Sequence, residues 1–290
     1  MPIITLTTDM GTKDHYVASI KGTILSILPE VNIVDISHEI KPFNIAEAAF
    51  NLICCYQNFP KGSVHIIGID SEPVINFSGY DGSFPCILKH DGHYFISNDN
   101  GFFGAFLSDK QHEGFWRIDD VLSNPKLFHF PAKNIFAPIA CKIIKGENID
   151  NIGSPADKYK KAFYHVATVE KDLIKGNIIH IDAFGNLIVN ISKDLFEQIG
   201  KNNPFTIFFR SKDYFIEQIS SSYNEVSEGE RVAIFNENNL LEIAINKGAN
   251  GSGGGANKLF GVNIGDIVRV EFTPRGSRET IDSLFWWLHE

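Results

Sequence analysis

The chain has 290 residues, 43% apolar and 21% charged, with a formal charge of −9. These are the values of an ordinary globular protein with length enough for two domains. No basic run exceeds the pair Lys160–Lys161, which argues against a binder of nucleic-acid backbones, and no apolar run nears the ~20 residues needed to span a bilayer. With no basic, then long apolar opening stretch, a cytoplasmic protein is the expectation.

Ile3–Thr8 is a β-branched run that predicts a first strand and ends in Thr8-Asp9-Met10-Gly11-Thr12. Val17, Ile20, Ile24 and Ile27 recur at three- and four-residue spacing, predicting a helix from about Asp14 to Leu28 that Pro29 stops. Val31–Ile36 reads as a second strand. Asn44 with Glu47 three positions on is close to a capping box, opening a helix through Ala48, Phe50 and Leu52. Val64–Ile69 is apolar almost throughout, as expected of a strand covered on both faces. This alternation predicts a mainly parallel sheet with crossover helices.

From about Gly176 the pattern changes. Short runs at Asn177–Asp182, Leu187–Ile191, Phe205–Phe209, Arg231–Phe235, Glu242–Ile245 and Asp266–Phe272 are separated by turn residues, which predicts a small antiparallel β-barrel or sandwich. The expected organisation is therefore an α/β N-terminal domain over residues 1–168, with a mainly parallel sheet and flanking helices. A smaller C-terminal antiparallel β-barrel domain over residues 169–290 follows. Gly248–Gly255 lacks the Lys-Ser/Thr of a phosphate loop and reads as a glycine-rich surface loop.

Cys54, Cys55, Cys86 and Cys141 offer no CxxC spacing and read as reduced, core-filling thiols. The ten histidines are scattered without an HExxH, so no metal is expected. Asp9 and Asp70 each follow an apolar strand, the place where ligand sites collect in parallel sheets. In the second half, Asp182, Phe184 and Asn186 sit together between apolar flanks. A carboxylate there can pair with an ammonium, an aromatic can stack on a purine, and an amide can read a base edge. A plain β-turn with Phe184 in the core explains the same pattern.

The opening Thr8-Asp9-Met10-Gly11-Thr12-Lys13-Asp14 resembles the (S/T)DxGxxD start of the S-adenosylmethionine (SAM) hydroxide adenosyltransferases and their fluorinase and chlorinase relatives. Val34 to Ile40 is similar to that family's VDxxHxI stretch. Phe59 to His65, Asn98-Asp99-Asn100-Gly101, Ile135-Phe136-Ala137-Pro138, Ile181 to Asn190 and Leu241 to Asn246 follow in the family order. The resemblance implies a seven-stranded α/β domain, a C-terminal barrel, and a homotrimer holding SAM between one subunit's large domain and its neighbour's small one. SAM would be the substrate, with no separate cofactor, and water would displace methionine from the ribose C5′ carbon to leave adenosine. Position by position, the resemblance assigns Asp9 to the ribose hydroxyls and Asp14 and Asp182 to the methionine ammonium. It places Phe43 and Phe184 beside the ribose and adenine, Asn186 on the adenine edge, and Asn246 in a segment whose backbone meets that edge. Asp70 is the expected catalytic residue.

The chain departs from the family where water is positioned. The family's Asp opens a DPGVG-type loop with an Arg a few residues on, whereas Asp70-Ser71-Glu72-Pro73-Val74-Ile75-Asn76-Phe77 has none. Pro131 stands at the place of the family His, two residues past His129; Glu237-Asn238 replace the halogenases' Ser-Arg. Glu72, His129 and Lys133 are the candidate replacements. Three functions stay open on the sequence: SAM hydrolysis to adenosine and L-methionine, a trimeric SAM- or adenosine-binding protein without turnover, or an altered enzyme using another nucleophile or substrate, halogenation being the least expected.

Overall fold

The computed structural model describes residues 2–74, 82–162, 166–249 and 254–274 and divides into two compact units, residues 1–164 and 165–290. In the first unit, β1 (Ile3–Thr8), α1 (Tyr16–Ile27), β2 (Asn32–Ser37), α2 (Ile45–Ile53) and β3 (Val64–Gly68) alternate. The hairpin β4 (Pro85–His90) and β5 (His93–Asn98) comes next, then α3 (Phe102–Leu107), β6 (Gly114–Arg117), α4 (Ala137–Ile144) and the short β7 (Ser154–Pro155). The seven strands lie in the order β2-β1-β3-β5-β4-β6-β7. The β2, β1, β3 and β5 neighbours are parallel, and β4, β6 and β7 extend the sheet antiparallel.

Side-chain alternation feeds two cores. Ile4, Leu6, Val64 and Ile66 pack with Ile20, Ile24 and Phe136 on one face of the sheet. Ile67, Ile69 and Phe95 pack with Ala48, Leu52 and Phe103 on the other. Every residue of β3 is buried, and each such isoleucine contributes roughly 2 kcal/mol of burial free energy. Asn44 caps α2 by accepting the Glu47 backbone N–H at 3.1 Å, and Glu47 turns back onto the Lys41 N–H; such a cap is worth about 1 kcal/mol. Cys86 and Cys141 are buried and Cys54 and Cys55 half-buried; burial pushes the Cys54 and Cys55 thiols up to about 11.

The second unit holds β8 (Thr168–Glu170), β9 (Leu173–Ile181), β10 (Leu187–Ser192), α5 (Lys193–Gly200), β11 (Phe205–Phe209), β12 (Ser211–Ile216), β13 (Arg231–Phe235), β14 (Leu240–Ile245), α6 (Ala256–Phe260) and β15 (Ile267–Phe272). The sheet runs β12-β11-β15-β9-β10-β14-β13, with β8 on β9. All pairings are antiparallel, and the edge strands β12 and β13 come into contact, so the sheet nearly closes into a barrel. Ile178, Leu187, Val189, Ile207, Ile243 and Val270 fill its interior.

Two sequence expectations need qualification. The glycine-rich stretch, of which residues 250–253 lie outside the described residues, is not simply a surface loop. At Gly255 a Cβ would stand 2.2 Å from the Phe184 carbonyl oxygen, so this glycine allows a close backbone approach. The loop that follows Asp70 is described to Val74, which bridges to Ser83; residues 75–81 lie outside the described residues. Among the described residues, no helix is long and apolar enough to cross a membrane.

Candidate active site

Because β1 and β3 are parallel neighbours with Thr8 opposite Gly68, the residues that follow them leave one edge of the sheet together. Asp9 and Asp70 therefore open into the same cavity, about 450 Å3, which Met10, Tyr16, Phe43, Ser71, Glu72 and Phe128 to Pro131 also line. Gly68 sits at its floor, where an added Cβ would lie 3.0 Å from the Ala132 Cβ and 3.4 Å from the Thr8 methyl. A side chain there would require these neighbours to give by a few tenths of an ångström.

Two loops are held in place by polar side chains. The Asp9 carboxylate accepts the Phe43 backbone N–H at 2.9 Å, across a residue with φ +63° whose ring is 72% exposed. A left-handed backbone on a non-glycine residue costs of the order of 1 kcal/mol and is kept only where its surroundings fix it. Asp70 is also left-handed, at φ +42°. Here Asn100 Nδ2 donates to the carbonyls of Ile69 and Asp70 at 3.0 and 2.9 Å, and Asn98 Nδ2 donates to the Glu72 carbonyl at 2.9 Å. The Asn98-Asp99-Asn100-Gly101 stretch is thus a clamp on the Asp70 loop.

The opposite wall comes from the segment before α4. Ala132–Phe136 winds as a π-helix, and the Ala137 N–H reaches back to the Ala132 carbonyl. Pro138, which supplies no N–H, follows directly and denies this turn a regular α ladder. Phe130 and Pro131, which lead into this turn, line the cavity together with His129. Of the three candidate replacements, Glu72 and His129 line the cavity and Lys133 does not. Asp14 does not line it either; it is exposed, two residues ahead of α1.

The cavity's charge is distinctive. Asp9, Asp70 and Glu72 supply three carboxylates, and no lysine or arginine is among its described lining residues. A larger cavity, about 590 Å3, has Arg117, Lys158, Lys160 and Lys161 in its wall. By Coulomb complementarity the first suits a cationic ligand and the second does not.

The C-terminal unit carries a second polar cluster. Asp182 Oδ1 accepts the backbone N–H groups of Phe184 and Asn186 at 2.9 and 2.8 Å, and Oδ2 accepts Asn186 Nδ2 at 3.0 Å. The turn this builds leaves Phe184 62% exposed rather than in the core. Asn186 is buried. Glu242, unassigned by the sequence reading, is buried beneath it: Tyr223 Oη donates to it at 2.5 Å and Asn236 Nδ2 at 3.3 Å. Burial pushes the Glu242 carboxyl above its ordinary range, outweighing those hydrogen bonds, and nearby Asp182 adds to the rise. The signal that could have found it is a carboxylate inside the apolar run Leu240–Ile245. Asn246 is buried and spent on the fold. Its Nδ2 donates to the Val226 carbonyl at 2.7 Å, and its backbone groups pair with Glu230 and Gly229.

A strand-end cavity in an α/β unit, followed by a nearly closed barrel, agrees with comparison against known proteins. The model of the SAM hydroxide adenosyltransferase N-terminal domain matches residues 4–153, and that of the C-terminal domain matches residues 176–269. The chain belongs to the SAM hydroxide adenosyltransferase family. It is 37% identical to the (R)-S-adenosyl-L-methionine hydrolase of Methanocaldococcus jannaschii over 199 residues, which is 67% of this chain and 68% of that protein. It is 26% identical to a fluorinase of an Actinoplanes species over 223 residues, 69% of this chain and 74% of that one. Among solved structures, an uncharacterized conserved protein from Thermotoga maritima superposes with a TM-score of 0.79 at 25% identity, covering 93% of this chain and 99% of that one.

Proposed function

We propose that the protein hydrolyses SAM to adenosine and L-methionine, with the carboxylate-lined cavity of the N-terminal unit as the reacting end. The observation that carries this reading is the meeting of Asp9, Asp70 and Glu72 in one cavity without lysine or arginine among its described lining. SAM brings its positive sulfonium to such a wall. In this reading Asp9 takes the ribose hydroxyls and Phe43 lies against the nucleoside. Asp182, Phe184 and Asn186 of a neighbouring subunit in a homotrimer receive the methionine ammonium and the adenine; Asn246 serves that segment by fixing its backbone.

Water attacks C5′ opposite the sulfur. The C–O bond forms as the C–S bond breaks, and its electron pair stays on sulfur, which departs as a neutral thioether needing no acid. The water's proton passes to a basic group, for which Asp70 is the assigned acceptor and Glu72 and His129 the groups beside it. A preformed hydroxide among three carboxylates is electrostatically costly, so neutral water losing its proton during attack fits better. Alignment of the water behind C5′ supplies much of the remaining acceleration.

The absence of the family's Arg and aligned His favours a second reading, binding without turnover. One assay separates the two. Purified protein is incubated with resolved (R)- and (S)-sulfonium epimers of SAM and adenosine is followed by chromatography, the (R) epimer being the one in the archaeal relative's name. Adenosine release above the protein-free rate supports hydrolysis. Tight calorimetric binding of SAM with no release supports the second reading instead.

A further inference from the structure

The loop that carries Asp9 is braced by a polar relay which the hydrolytic reading leaves without a role. Thr8 is fully buried and its Oγ1 lies 2.7 Å from His38 Nδ1, with His38 itself 5% exposed. His38 Nε2 stands 3.0 Å from Asp35 Oδ1, and Asp35 Oδ2 accepts from Lys21 Nζ at 2.6 Å. The same histidine's carbonyl accepts the Gly11 N–H at 2.8 Å, and Thr8 Oγ1 accepts the Met10 N–H at 3.4 Å. Contacts from His38 and Thr8 therefore hold both residues that follow Asp9.

A backbone irregularity makes the relay possible. Leu6 pairs with Asp35 but Thr7 pairs with Ser37, so Ile36 is an extra residue in β2. In an unbroken strand, positions three apart face opposite sides. The bulge cancels that alternation and brings Asp35 and His38 together; bulges beside active sites commonly re-aim a side chain in this way. The carboxylate beside Nε2 favours the proton on that nitrogen, leaving Nδ1 to accept from the Thr8 hydroxyl. Thr8 Oγ1 is then free to accept from Met10. The Met10–Thr8–His38 links each have one donor–acceptor sense, the His38–Asp35 link is a 3.0 Å charge contact rather than an aligned hydrogen bond, and the outer end is anchored by the Lys21–Asp35 pair at the surface. Burial pushes the Asp35 carboxyl up, but the hydrogen bonds and charges of Lys21 and His38 outweigh it and hold it below its ordinary value.

The geometry points to Thr8 and His38 as positioning residues, a Lys21–Asp35–His38–Thr8 relay that sets where the Asp9 carboxylate meets the ribose hydroxyls. This inference rests on the assignment of Asp9 to the ribose. Neither residue lines the cavity, so each acts only through the Asp9 loop.

The test compares Thr8→Val, which keeps the shape and removes the hydroxyl, with Thr8→Ser, which keeps the hydroxyl. Adenosine affinity, and the KM and kcat for SAM, are measured alongside the thermal midpoint. Loss of one buried hydrogen bond is expected to weaken adenosine binding and raise KM roughly five- to tenfold in Thr8→Val. The kcat should stay within about twofold, and Thr8→Ser should restore wild-type values. Asp35→Asn, at a half-exposed surface position, should shift KM the same way even if Thr8→Val fails to fold. If Thr8→Val or a folded Asp35→Asn binds adenosine like wild type, the relay has no positioning role. Failure of Thr8→Ser to rescue would assign the effect to packing and likewise overturn the proposal. Asp9→Ala is the control: unchanged adenosine affinity in that variant defeats the ribose assignment itself, whatever Thr8 does.

Discussion

Asp9 and Phe43 lie 34 residues apart, yet the Asp9 carboxylate fixes the Phe43 backbone through a 2.9 Å hydrogen bond. The C-terminal unit repeats the arrangement, with Asp182 holding the Phe184 N–H at 2.9 Å. In each unit an aspartate thus presents a largely exposed phenylalanine, whose face is open to a flat ligand or a second chain. The Phe43→Ala variant is predicted to bind adenosine about tenfold more weakly, the usual scale for a lost base–aromatic stack. Its thermal midpoint should hardly move, since the ring is exposed. Calorimetric titration with adenosine checks this, and wild-type affinity would remove Phe43 from the site.

Asp70 is predicted to separate binding from chemistry. Asp70→Ala should lower kcat by 10²–10⁴-fold, the common range for a general base, with SAM affinity within about threefold of wild type. His129→Ala should lower kcat as well. If both residues orient one water, the double variant will lose much less than the product of the two single losses. Fully multiplicative losses in single-turnover kinetics would show that they act separately.

Nucleophile choice follows from the cavity's charge. Three carboxylates with no lysine or arginine among the described lining residues repel halide ions. Molar chloride or fluoride should therefore yield no 5′-halogenated nucleoside from SAM, and adenosine should remain the nucleoside product by mass spectrometry. A halogenated product would contradict the charge argument, whatever its yield.

The stability of the N-terminal unit should depend on pH through His65. This imidazole is fully buried, 2.8 Å from Thr5 Oγ1 and 3.2 Å from His93. Burial, then the neighbouring His93, pushes its pKa down to about 3. Because the unfolded chain takes up this proton near pH 6.5 and the folded one only near 3, stability is fully present above 6.5. It is lost as pH falls through that window, by about 1.4 kcal/mol per unit where the proton is fully linked. His93, depressed mainly by its own burial, adds in the same direction. Urea melts of wild type and His65→Gln from pH 7 to 4 should converge as the wild type loses its advantage. Parallel curves would contradict the linkage.

Gly255 gives a packing prediction. A Cβ 2.2 Å from the Phe184 carbonyl oxygen and 2.7 Å from the Gly185 Cα meets backbone, which has little room to yield. Gly255→Ala should therefore cost 1–3 kcal/mol in the stability of the C-terminal unit, as overpacking typically does. It should also displace Phe184. Denaturant melts that overlay those of the wild type would refute the close approach.

Much of this architecture is legible in the sequence because its strongest signals are local. The β-branched runs Ile3–Thr8 and Val64–Ile69 and the periodic Val17–Ile27 stretch become β1, β3 and α1 within two residues. The β4–β5 hairpin was less visible, although Asp91 and Gly92, at φ +48° and +74°, form the Asp-Gly turn that favours such a ribbon. α3 is buried on nearly every side, so Phe102–Leu107 shows no amphipathic period to read. At the site, a strand-end position announced Asp9 and Asp70. His129 reaches the same cavity from the end of the short 3-10 turn Pro125–His129, a tertiary placement that no spacing rule encodes.

The Asn98–Asn100 clamp has a consequence for how this enzyme family can diversify. Carbonyls of Ile69, Asp70 and Glu72 are gripped by amides 26 to 31 residues downstream, so the bend at Asp70 is fixed from outside the loop as well as by the buried Ser71 and Pro73 within it. A scaffold braced in this way tolerates exchange at the exposed Glu72 without rebuilding the bend. A changed side chain at Glu72 is then a change of reagent on an intact mount, and new reactivity can be sampled at that position alone.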